Sequence, residues 1–158
     1  MAKIIATCGR ICCGKTTYAK SLIKKSGGVL LSCDEITLGV LGGQLGDRHD
    51  EILQRIQQYL LTKALEILRN GSDVVLDWGL WTSEERSRIR HFFIEHGFEY
   101  ELHYLDIPEG EWMERIKKRN LAVTAEKSCE SYLVDEGLLR KASLLFEPPS
   151  DDEICLVI

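Results

Sequence analysis

Apolar positions along the chain fall into two patterns. Short continuous apolar runs occur at Lys3 to Cys8, Val29 to Ser32, Asp73 to Leu76, Phe98 to Leu105 and Ile154 to Ile158. Runs of that length read as strands buried on both faces. Between them, apolar residues recur at helical spacing. In the stretch Asp50 to Arg69, for example, Ile52, Ile56, Tyr59, Leu60, Ala64, Ile67 and Leu68 share one stripe. Further helices are expected at Gly14 to Lys25, Glu35 to Leu41, from Thr82 or Ser83 to Glu95, from Pro108 to Asn120, and from Asp135 to Phe146. Gly27-Gly28, Asn70-Gly71, His96-Gly97 and Pro148-Pro149 supply the stops. Leu121 to Ser131 is polar and reads as irregular. Strands thus alternate with helices, the pattern of an α/β fold with a parallel sheet and helices on both faces. No repeat, low-complexity tract or interdomain linker interrupts residues 1–158, so one domain is expected.

The first strand runs into Gly9-Arg10-Ile11-Cys12-Cys13-Gly14-Lys15-Thr16. Strand, glycine-bounded loop, then Gly-Lys-Thr opening a helix is the setting of a phosphate-binding loop. Successive backbone N–H groups curl around an anion, and the helix N-terminus adds unpaired donors. Gly9, Cys12, Cys13, Gly14, Lys15, Thr16 and Thr17 form this cradle. Lys15 is placed to reach the outer phosphates of a nucleotide, and the Thr16 hydroxyl to ligate Mg²⁺. Cys12 stands where such loops often need a positive φ, a costly conformation for a residue with a Cβ. Cys12 and Cys13 also sit at a helix N-terminus, a setting in which exposed thiols are reactive.

In a parallel sheet of this kind, ligands bind beyond the carboxyl ends of the strands. Gly9, Asp34, Asp77 and Asp106 all lie there. Asp77 ends the run Val74-Val75-Leu76 and either faces Mg²⁺ or its water shell, or binds substrate. Asp34 either serves the site or caps the helix that follows it. Asp50 is expected as the N-cap of the long helix, with His49 on the surface.

The net charge of −5 argues against a broad nucleic-acid surface. The N-terminal apolar run is too short for a signal peptide or a membrane span, so a cytoplasmic protein is expected. Six cysteines show no Cys-x-x-Cys pair and no zinc spacing, which suits free thiols.

Beyond its loop, the chain carries Leu31-Ser32-Cys33-Asp34-Glu35-Ile36, Val75-Leu76-Asp77-Trp78-Gly79 with Glu85-Arg86, Arg115 through Arg119-Asn120, and Phe146-Glu147-Pro148-Pro149. In these stretches it resembles the small P-loop kinases, among them the kinase domain of phage polynucleotide kinase, chloramphenicol phosphotransferase and zeta-toxin-like kinases. It is similar also to short bacterial ATP-binding proteins of AAA-ATPase type. The resemblance covers nearly the whole chain. It implies a three-layer α/β/α P-loop NTPase fold of nucleoside-kinase type, with a five-stranded parallel sheet and a short lid at about 119–131. It implies ATP and Mg²⁺ as cofactors. By the same resemblance Asp34 is the base or orients the acceptor hydroxyl, Arg119 meets the phosphates, and Arg115 lies on the adenine or α-phosphate side. Trp78, Trp81 and Arg86 would then border the acceptor pocket, which Asp34 and Asp77 would also line. Phe146 to Pro149 would form a wall against adenine or simply stop a helix.

The expected activity is transfer of the γ-phosphoryl of ATP to a hydroxyl of a small molecule, by a monomer or dimer with no membrane partner. The competing readings are a nucleic-acid 5′-hydroxyl kinase and a nucleotide-binding switch. The acidic balance counts against the first, and Asp34 with a lid arginine counts against the second.

Overall fold

The computed structural model describes residues 2–43, 45–126 and 133–158. Its strands are β1 (Lys3–Cys8), β2 (Val29–Ser32), β3 (Val74–Asp77), β4 (Glu99–Tyr104) and β5 (Leu156–Val157). They form one sheet in the order β2-β3-β1-β4-β5, with every pairing parallel. β1 is central: Ile4 pairs with Val74 on one side and Tyr100 on the other.

The helices are α1 (Lys15–Ser26), α2 (Cys33–Gly39), α3 (His49–Arg69), α4 (Ser83–Glu95), α5 (Glu109–Glu126) and α6 (Glu136–Leu145). Strand alternation divides the core between the two sheet faces. On one face Ile5 and Val75 pack against Ala19, Leu22 and Ile23 of α1. On the other, Ile4, Ala6 and Leu76 pack against Leu60, Ala64 and Leu68 of α3 and Ile89 and Phe93 of α4. A third cluster joins Trp112 and Ile116 of α5 to Leu138 and Leu139 of α6, over Ile11 and Cys12 of the phosphate loop. The five-stranded α/β architecture is the expected one, and it brings the loop and the ends of β2 and β3 to one edge.

Four boundaries differ from expectation. α2 begins at Cys33, capped by the Ser32 hydroxyl, which accepts from Glu35 N at 3.4 Å. Asp34 is therefore inside the first turn and is not the cap. Asp50 is not a cap either. A 3₁₀ turn over Gly46–Arg48 feeds directly into α3, whose N-cap residue Arg48 makes no side-chain capping bond. α5 continues past Asn120 to Glu126, so the first part of the expected lid is helical, and 127–132 lie outside the described residues. β5 pairs over two residues only, because the bends and turns of 151–155 precede it.

Candidate functional site

The phosphate loop is built by backbone that side chains would obstruct. Gly9 has φ +153°, and a Cβ there would lie 2.6 Å from Cys13 Sγ and 2.8 Å from the Leu105 carbonyl oxygen. Gly14 has φ +103°, and a Cβ there would meet Arg115 Nη1 at 2.9 Å. Cys12 does take a positive φ, of 61°. That left-handed conformation costs a residue with a Cβ about 1–2 kcal/mol. α5 holds the loop from outside. The Trp112 indole donates to Ile11 O at 2.6 Å, and the Arg10 guanidinium lies 4.3 Å from the centre of the Trp112 ring. Arg10 also donates to Glu109 and to Ile107 O.

The predicted cations converge on this loop. Lys15 Nζ donates to Gly9 O at 3.0 Å and Arg10 O at 2.7 Å, and lies 3.7 Å from Cys13 Sγ. Arg115 donates to Cys13 O at 2.7 Å and pairs with Glu111. Arg119 reaches Cys12 Sγ at 3.4 Å. The two arginines, one turn apart on α5, thus face the loop. Cys13 is buried and Cys12 half-buried, while Thr16 and Thr17 are exposed at the start of α1.

At the neighbouring strand end, Thr16 Oγ1 donates to Asp77 Oδ2 at 2.7 Å. A hydroxyl and a carboxylate so joined suit a hard cation that keeps several waters. Among the described residues no group of three or more His, Cys, Asp and Glu could hold a metal. A cation at Thr16 and Asp77 would therefore draw its remaining ligands from phosphate and water.

Asp34 belongs to the same electrostatic unit. Its surface is partly open, but its carboxylate is crowded at the base of the cleft. That burial pushes its pKa up, and the Asp77 carboxylate adds to the rise, against the opposing pull of Arg119, Lys15 and His49. No protein donor bonds the Asp34 carboxylate among the described residues. Cys33 beside it is pushed up to about 12, by burial first and then by Asp34, Glu85 and Asp77. His49 and Glu85 thus border the cleft, although sequence reading placed His49 on the surface and took Glu85 only as a first-turn residue of α4. No motif marks either one. The sole signal is that each opens a helix whose N-terminus points to the same sheet edge.

Three expected site residues are placed otherwise. The Arg86 guanidinium is 2 % exposed and faces the C-terminal segment. It pairs with Glu153 at 2.7 Å and donates to the carbonyls of Leu80, Trp81 and Glu147. Its donors are spent on structure, so it does not line a substrate pocket. The same bonds pin Leu80, which is buried at φ 46°. Trp81 stacks its indole nitrogen over Gly79, where a Cβ would sit 2.7 Å away. The Phe146–Pro149 segment is likewise structural. Phe146 stacks on Tyr104, and Glu147 bonds Trp81 O and Ser83 N. Trp78 is buried beside the cleft, and its indole N–H has no acceptor.

A central parallel sheet with a phosphate loop after β1 and carboxylates after β2 and β3 defines the P-loop kinase-like class. A family model described as an AAA domain, AAA_33, matches residues 4–136, and the chain belongs to that family. Among solved structures it is similar to a putative kinase from Chloroflexus aurantiacus, with 20% identity, a TM-score of 0.74, and coverage of 99% of this chain and 84% of that one. A sugar kinase from a Janibacter species has 17% identity and a TM-score of 0.68 over 100% of this chain and 85% of that one. The Mycobacterium tuberculosis APS kinase, solved with AMPPNP and APS, has 16% identity and a TM-score of 0.59 over 99% and 87%. At these identities the likeness concerns the fold. No curated protein matches the chain.

Proposed function

We propose that the protein is an ATP- and Mg²⁺-dependent phosphotransferase that moves the γ-phosphoryl group to a hydroxyl of a small molecule. The carrying observation is that Asp34, with no protein donor on its carboxylate, shares one cleft with Lys15, Arg119 and the Thr16–Asp77 pair. A switch needs the loop and the metal-side pair. It does not need a free carboxylate beside them. The nucleotides bound in structural relatives, AMPPNP in the APS kinase and ADP-AlF3 in Kti12 from Chaetomium thermophilum, are consistent with this reading.

In this reading the loop N–H groups and the α1 N-terminus bind the phosphates. Thr16 and Asp77 would hold Mg²⁺, which when bound neutralises phosphate charge. Lys15 leaves the loop carbonyls it now bonds and turns to the phosphate oxygens. Arg115 and Arg119 bring positive charge from α5. Asp34 orients the acceptor hydroxyl and takes its proton at the carboxylate.

Two variants test this. Lys15→Ala should lose most AMPPNP affinity in calorimetry. Asp34→Asn should lower kcat by roughly 10²-fold or more, the scale of general-base contributions, with nucleotide affinity near that of the parent. Unchanged affinity in the first would remove the nucleotide reading. An equal loss of affinity in the second would move Asp34 to the metal.

A further inference from the structure

The acceptor side of the cleft has its own chemistry. The register pairs Ser32 with Asp77, which puts Cys33 beside Trp78 at the ends of β2 and β3. Both belong to the core on the sheet face that α3 and α4 cover. Trp78 is 3 % exposed, and its indole N–H has no hydrogen-bond partner. A buried donor without an acceptor calls for a specific explanation. Asp34, Glu85 and Asp77 all lie within electrostatic reach of Cys33. Gln57 of α3 donates to Glu85 Oε1 at 3.2 Å, and the second oxygen accepts nothing among the described residues. The Asp34 carboxylate also lacks a donor. The cations of the cleft stand elsewhere: Lys15 and Arg119 are on the phosphate loop, and His49 pairs with Asp50 at 3.3 Å.

Carboxylate oxygens awaiting donors and one buried N–H awaiting an acceptor have a definite complement. It is a molecule with several hydroxyls, each able both to donate and to accept. An ammonium would satisfy the carboxylates but not the indole. A carboxylate, phosphate or sulfate would be repelled by Asp34, Glu85 and Asp77 together. We infer that the phosphoryl acceptor is a neutral polyhydroxylated molecule, a sugar or polyol with no anionic group, held between Asp34, Glu85 and the Trp78 indole. The inference rests on the phosphotransferase reading and narrows it. It separates this chain from an acceptor such as APS, a sulfate ester of a nucleotide.

The test uses the intact protein. Calorimetry with AMPPNP and Mg²⁺ first establishes nucleotide binding. The protein is then incubated with ATP and a panel of neutral sugars and polyols, amino sugars, sugar acids, nucleoside monophosphates and sulfate esters, and phosphorylated product is read by mass. Neutral members should be phosphorylated, and their charged counterparts should not. In the AMPPNP complex, the neutral acceptor should shift the Trp78 indole ¹H–¹⁵N resonance, assigned by its loss in Trp78→Phe. Trp78→Phe keeps the ring and removes the donor, so it should raise the acceptor KM about tenfold, the scale of one hydrogen bond, without a matching loss of nucleotide affinity. Glu85→Gln provides an independent reading at a residue outside the buried core, with the same direction expected. Phosphorylation of anionic members alone overturns the acceptor class and leaves the phosphotransferase standing. Nucleotide binding with no phosphorylated neutral member also overturns the class. Absence of nucleotide binding removes both. An acceptor KM unchanged in both variants overturns the assigned contacts.

Discussion

Asp34 shows how one carboxylate becomes available for chemistry. Ser32 takes the capping bond of α2, which frees Asp34 from the structural duty its position suggested. Burial and the Asp77 carboxylate then push its pKa up, while Arg119 and Lys15 pull it down. A base must be deprotonated, so activity is lost as pH falls through that pKa. The acid limb of kcat/KM should therefore lie above the ordinary carboxylate value of about 3.9. Arg119→Ala removes a cation that lowers the pKa, so the limb should move to still higher pH. A pH-rate profile of both proteins checks this, and a limb that moves down or stays fixed would contradict it. Cys12 makes the converse point. Its positive φ is legible from its place in the glycine-bounded motif, yet its contact with Arg119 comes from α5, far away in sequence.

The element with the least legible boundary is α5. Sequence reading ended it at Asn120, because Leu121 to Ala125 show no apolar stripe. The structure gives the reason: this stretch is helical but buries little, with Leu121 72 % exposed. Periodicity reports burial, not helicity alone. Asn120 has a separate task. Its amide donates to Val134 O at 2.8 Å and its carbonyl accepts from Val134 N at 2.9 Å. This two-bond staple joins the ends of the excursion that contains the expected lid at about 119–131. Asn120→Ala should free those ends. Hydrogen exchange over 119–126 should speed up in the variant, and nucleotide should restore less protection there than in the parent protein. Equal exchange in the two proteins would remove the staple from any account of the lid. Strands β1 to β4, by contrast, were legible within a residue or two, because continuous apolar runs suit a sheet buried on both faces.

At the scale of the whole molecule, Arg86 ties α4 to the C-terminal segment. Its bond to Glu153, together with bonds from Ser150, holds the Glu153 carboxyl down at about 2, against the opposing effect of burial. A carboxyl with a lowered folded-state pKa adds stability above its unfolded value, and that stability is lost as pH falls through the folded one. Thermal unfolding should therefore show a Tm that declines from about pH 5 towards pH 2, and Glu153→Gln should flatten part of that decline. A parallel decline in parent and variant would place the acid sensitivity elsewhere. None of this was legible in advance. A lone arginine after a strand looks the same in sequence whether it serves a substrate or a salt bridge, and its partner lies 67 residues away. The phosphate loop was legible because all its members are consecutive.

The central position of β1 also bears on how the chain is made. Its partners on either side, Val74 and Tyr100 for Ile4, leave the ribosome long after it. Until they emerge, Ile4, Ile5 and Ala6 form an unpaired apolar strand with both edges open to other chains. At synthesis rates of about 5–20 residues per second, that exposure lasts several seconds. Nascent chains arrested before β4 should thus bind a holdase chaperone that releases chains extended beyond β5.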